Sequence, residues 1–317
     1  NAPSVFEARG RGEIDGIARV LPQHLEPIRQ DDSLNLYSAP LSGYNMVFLN
    51  LDRGIFQERA VRQAMIWALD RQALVDDVLE GQGIVIHSPI LPRSWAHYAE
   101  VAKYEHDPKK AIAALEEEDW FDDDGDGVRE RGDLTLEFEI ATNQDDPTRV
   151  ALIEAISEQL AVVGIRAVPT TVSWEELVGQ KLRLRRFDAV LSGWQNLPCD
   201  PDPYPYWHSG QANEDGLNFA NYMSEEADAI LAQARATTER ERRLALYRRF
   251  QELFARDVPS LLLYQPVYNY AADARVKDVQ VGPMFDYSDR FRTIDRWYIE
   301  TERMLYSEAR EKNLLPE

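Results

Sequence analysis

Between residues 134 and 194 two periodicities alternate, and that alternation constrains the fold more than any other feature of the chain. Leu134, Leu136, Phe138 and Ile140 recur at every second position, the pattern of a strand with one buried face. Over 148–163, Ile153, Ile156, Leu160 and Val163 fall at helical spacing, and Gly164 supplies a C-terminal stop. Ile165 to Val172 resume an extended pattern. Ser173 and Glu176 then spell a capping box that opens a helix through Leu184, and Phe187 to Trp194 reads as a buried strand. Such an order predicts an α/β fold with a mixed, mostly parallel sheet flanked by helices.

The flanking sequence extends this pattern. Tyr44 to Leu51 is a short apolar run, read as a buried strand. Residues 58–80 carry Val61, Ala64, Ala68, Val75 and Leu79 on one helical face, ended by Gly81 and Gly83. The prolines of His87 to Trp95 predict an extended loop, and Asp107-Pro108 a helix start. After a polar, aromatic loop over 195–223, helices are expected to open at Ser224 and at Thr238, the latter with Glu241 in capping-box position. Val258 to Tyr264 reads as a strand, and a charged helix is expected near 300–312.

Charge and residue types exclude several functions. A net charge of -20 repels nucleic-acid phosphates. No run approaches the ~20 apolar residues that span a bilayer. No apolar stretch of signal-peptide type follows Asn1, so a mature protein or a fragment is expected. Cys199 is the single cysteine, which leaves no internal disulfide and no cysteine metal site. The five histidines lack HExxH spacing, and neither a phosphate loop nor a GxSxG elbow occurs. Arg240 to Arg249 interleaves acids and apolar residues, the composition of an exposed, charge-paired helix face.

One acidic segment has ligand spacing. Asp122, Asp124 and Asp126 stand at positions 1, 3 and 5 of a calcium loop, with Gly127 at 6, the Val128 carbonyl at 7 and Asp133 at 12. Asp133 is shorter than the usual bidentate Glu. The two readings are a calcium site and a solvated acidic turn.

Four segments, in order, carry a resemblance. They are Gln57-Glu-Arg-Ala-Val-Arg-Gln-Ala-Met-Ile-Trp-Ala-Leu-Asp-Arg71; Ser88-Pro-Ile-Leu-Pro92; Phe187-Asp-Ala-Val-Leu-Ser-Gly-Trp194 with Asp200-Pro-Asp-Pro-Tyr204; and Asn218-Phe219 with Tyr222, Glu226 and Asp228. Together they resemble the extracytoplasmic solute-binding proteins of the oligopeptide/dipeptide type (family 5), the receptors of ABC importers. Gly12-Glu-Ile-Asp15 resembles a segment near the middle of such proteins, so the chain is expected to be a C-terminal fragment.

The resemblance implies a periplasmic-binding-protein type II-like lobe over 45–263. Residues 1–44 and 264–317 would then be parts of the other lobe, the latter with a C-terminal helix. It implies a non-enzymatic protein that closes by hinge motion on a peptide or other small polar solute. That protein would sit in the periplasm or on the outer face of the cytoplasmic membrane, reached only through a lipid anchor or the permease subunits. Its implied ligand residues are Tyr44, Asn45, Trp194, Gln195, Asn196, Asp200, Trp207, Asn218 and Tyr222, with packing of Trp207 and Tyr222 onto their own sheet as the other reading. Relatives carry an Asp three residues after this Trp for the ligand's α-amine; Leu197 stands there, leaving Asp200 or Asp202 as substitutes. A sensory receptor of the same fold and a carbohydrate-active enzyme are the alternatives.

Overall fold

The computed structural model describes residues 2–300. Its contacts divide the chain into two compact units, Pro40–Val267 and Asn1–Ala39 with Tyr268–Glu317. The helix expected at 300–312 lies outside the described residues.

In the larger unit the strand order is Ser260–Asp273 (its first half), Tyr44–Leu49, Ala189–Trp194, Glu137–Asn143 and Arg166–Val172. Glu137–Asn143 runs parallel to both of its neighbours. Tyr44–Leu49 runs antiparallel to both of its own. The sheet is therefore mixed, but parallel pairing is confined to its Glu137–Asn143 side, less than the alternation predicts. The reason is connectivity. Crossover helices, which enforce parallel neighbours, join only the strands between Glu137 and Trp194.

Both faces of this sheet are covered. Val47 and Leu49 join a core with Leu136, Phe138, Ile140, Ile153, Ile156 and Leu160, while Tyr44, Met46 and Phe48 join Leu177, Leu182, Trp207, Phe250 and Phe254 on the other side. Period-2 alternation thus feeds two cores at once, which is why 44–51 reads as a continuous apolar run. Leu134 departs from the expected buried face. It lies in a two-residue hairpin strand, Leu134–Thr135, and is exposed.

Caps account for most helix starts. Asp107, Asp146, Ser173 and Ser224 each accept the backbone N–H three residues on. Thr238 does not; the helix Arg240–Asp257 starts after an extended Glu239 without a side-chain cap. The single helix expected over 58–80 is broken. Arg59–Ala68 ends where Leu69 and Asp70 leave helical backbone, and the Asp70 carboxylate caps Ala73 N–H to begin a second short turn, Arg71–Ala73, followed by a wide turn at Leu74–Val78. A mid-pattern Asp competes locally for amides that a continuous helix would use.

The smaller unit is built on Gly16–Ala18, paired antiparallel with Tyr270–Ala272, and on Leu34–Pro40. Ile17, Val20, Leu25, Ile28 and Ala271 form its core.

Candidate functional site

The register of the larger unit brings the carboxyl ends of Glu137–Asn143, Arg166–Val172 and Ala189–Trp194 to one edge, where Tyr44 begins its strand opposite Trp194. In open α/β sheets this edge is where ligands are met. Two glycines let the backbones close up there. A Cβ on Gly193 would lie 2.2 Å from Tyr44 O, and one on Gly43 would lie 2.4 Å from Trp194 O. Gly193→Ala is expected to cost about 2–3 kcal/mol of stability, because two backbones must part rather than a side chain turn; urea unfolding checks this.

Around this pair the predicted ligand residues separate into two groups. Asn45, Trp194, Gln195 and Asn196 lie at the edge. Gln195 and Asn196 are exposed, and Asn196 has a left-handed φ of 55°. Asn45 Oδ1 accepts from Arg149 Nη2 at 3.2 Å. Trp194 is half-buried, with its ring stacked on Phe219 at 5.2 Å and against Tyr206 at 4.5 Å, so only part of it faces outward.

The other residues hold the loop together. Tyr44 is buried and burial raises its hydroxyl pKa. Trp207 is 1% exposed and packs edge-on to Phe254. Asn218 is fully buried; its amide donates to Tyr222 O and its oxygen accepts Tyr222 N–H. The Tyr222 hydroxyl donates to Asp257 at 2.7 Å. Asp200 is engaged by both Arg243 Nη groups and by Trp95 Nε1, and Asp202 by Arg235. Both carboxylates are thus paired with arginines, while the Asp200 side chain stays 63% exposed. Leu197, where relatives place an acid, is pinned by Ser42 in both directions, at 2.9 and 2.6 Å.

Two residues at the edge escaped the sequence reading. Arg149 follows the Asp146 cap on the helix Pro147–Ala161 and its side chain is 13% exposed, lying between Asn45 and Asp146. Trp174 opens the helix after Val172 and is 52% exposed, a large apolar surface beside the strand ends. A Trp at the first position of a capped helix is the signal that would have found it.

His208, Ser209 and Asp228 come together but not as a catalytic relay. Ser209 Oγ donates to Asp228, while His208 Nδ1, 3.8 Å from the same carboxylate, accepts Gly210 N–H at 2.9 Å, so the hydroxyl's proton goes to the carboxylate and not to the imidazole. In the acidic turn, the carboxylates that converge are Asp122, Asp124 and Glu130, with ligand atoms within 4.8 Å of one another. Asp126 instead accepts Val128 N–H and pairs with Arg166 at 3.0 Å. Asp133 sits exposed in the turn between the hairpin strands Glu130–Arg131 and Leu134–Thr135, and Val128 is buried. The grouping therefore differs from the calcium-loop set, with Glu130 in it and Asp126 and Asp133 outside it.

Residues 1–216 match the family model for bacterial extracellular solute-binding proteins, family 5, middle region. The chain belongs to that family. It is 32% identical over 271 residues to the oligopeptide-binding protein AppA of Bacillus subtilis, covering 84% of this chain and 49% of that protein. This family 5 chain thus spans about half the length of that relative. The structure of B. subtilis AppA in complex with a nonapeptide superimposes with a TM-score of 0.80 at 29% identity, over 95% of this chain and 59% of that one. NikZ of Campylobacter jejuni in complex with Ni(L-His) gives 0.77 at 25% identity, over 93% and 59%. Among the described residues no helix is long and apolar enough to cross a membrane.

Two arginines of the motifs quoted above are buried in this family 5 fold. Arg62 donates to the carbonyls of Phe56, Gln57, Asp257 and Val258. Arg71 donates to the carbonyls of Ile86, Leu262 and Tyr104 and to His87 Nδ1. Burial lowers the Arg71 pKa to about 10. Burial, then the charges of Arg71 and Lys103, lower that of His87 to about 4. Since His87 binds its proton less readily folded than unfolded, its contribution is present above the usual value near 6.5 and is lost as pH falls from there to about 4. Solvent reaches part of the ring, so about 1–2 kcal/mol is expected to disappear across that window. His87→Gln should flatten this part of a pH–stability curve.

Proposed function

We propose that this chain is part of the substrate-binding subunit of an ABC-type importer, taking up an oligopeptide or related polar solute outside the cytoplasmic membrane without covalent chemistry. The family match over residues 1–216 carries this reading, and the strand-end edge supplies its chemistry. Gln195 and Asn196 offer exposed amides, Trp174 an open aromatic face, and Arg149 a cation beside Asn45. Sparse polar anchors on a partly apolar wall suit a receptor that must also release its cargo. The nonapeptide of AppA supports a peptide; the Ni(L-His) of NikZ shows how different a relative's cargo can be.

The test is calorimetry and native mass spectrometry on the full-length protein with peptide and oligosaccharide panels. Saturable binding of peptides without turnover is the expected result. Hydrolysis of an oligosaccharide, or no binding of any solute, would overturn the reading. Trp174→Ala is expected to weaken binding about 5–10-fold, the loss of one aromatic contact, with unfolding unchanged because the ring is half exposed.

A further inference from the structure

A cavity of about 20 Å³ lies where the helix Arg240–Asp257 gives way to the strand Ser260–Asp273, with Ile66, Arg71, His87, Tyr104 and Ser260 in its lining. One polar group there is unsatisfied. Ser260 is 1% exposed and its hydroxyl has no hydrogen-bond partner in the protein. Buried hydroxyls are ordinarily paired, with protein or with ordered water.

The other polar groups define what could pair with it. Tyr104's hydroxyl already donates to Ala255 O at 2.7 Å and accepts from Gln63 Nε2 at 3.1 Å. Arg71's guanidinium gives its hydrogen bonds to neutral acceptors, including His87 Nδ1 at 3.2 Å. An arginine cannot accept, so His87 Nδ1 does, and the neutral ring carries its proton on Nε2. The lining therefore combines a free hydroxyl with a buried cation whose own bonds go to neutral groups. The Ser260 hydroxyl is thus a donor still without an acceptor. A water needs roughly 10–15 Å³ of such space and two to four polar partners, and the cavity meets the volume.

We infer that this cavity is a binding site for one hydrogen-bond-accepting species the size of a water molecule, a water or a halide ion, held by the Ser260 hydroxyl beside the Arg71 guanidinium. It joins the end of one helix to the start of the long strand and to His87 at the head of the proline segment. The site is independent of the transported solute, so its test does not depend on the transport reading.

Diffraction from crystals of the protein, grown in chloride and with bromide in its place, tests it. A density peak within roughly 2.6–3.2 Å of Ser260 Oγ is expected. A bromide anomalous signal at that peak assigns a halide, and a peak without one assigns water. An empty cavity, or a peak out of reach of Ser260 Oγ, overturns the inference. In Ser260→Ala crystals the peak should vanish; its persistence unchanged would show that Ser260 does not hold the ligand. Should that variant fail to fold, the wild-type crystals alone decide.

Discussion

Arg62→Met is expected to lower the free energy of unfolding by about 3–5 kcal/mol, the range for removing a buried, fully hydrogen-bonded charge from its partners. Arg62 is 6% exposed and donates to four carbonyl oxygens, two just before the helix Arg59–Ala68 and two at the far end of Arg240–Asp257. Methionine keeps much of the side-chain volume but donates nothing, so those carbonyls would be left buried without partners. Neighbouring bonds of the same kind, from Gln63 to Arg256 O and from Tyr104 to Ala255 O, remain in the variant. The loss should appear as a shift in the urea midpoint with an unchanged slope. A loss under 1 kcal/mol would mean that water satisfies the helix end.

The second large effect concerns the ligand. Arg149→Met is expected to weaken binding of a solute with a free carboxylate about 30-fold or more, because truncating one partner of a shielded charge contact costs about 2–5 kcal/mol. An amidated solute should lose far less. Arg149 is oriented by Asn45 Oδ1 and by Asp146, which also caps its helix, so the guanidinium is fixed before any ligand arrives. Equal loss for the two solutes in calorimetry would show that Arg149 acts only as a packing residue.

What could be read in the sequence is what depends on neighbours along the chain. The alternation at Leu136, Phe138 and Ile140, the helical stripe from Ile153 to Leu160 and the caps at Asp107, Ser173 and Ser224 all appear where local spacing predicts. The strand end at Trp194 and its exposed amides were legible too. The roles of Asp200 and Asp202 were not, since their partners Arg243 and Arg235 lie on helices 43 and 33 residues away. Trp207 and Tyr222 sit in a polar segment whose composition suggests an open loop, yet Phe254 and Asp257 bury them from a distant helix. Arg62 and Arg71 show the same limit. Charged residues in a helical pattern read as its wet side, until the carbonyls of remote segments are placed around them.

The two strands through which the chain enters and leaves the larger unit are direct neighbours. Asn45 stands opposite Tyr264, and Leu41 N–H donates to Pro266 O at 2.9 Å. In genetic terms residues 40–267 are a cassette whose two splice points nearly touch. A cassette of that kind can be excised, circularly permuted or grafted into another host without stretching its backbone.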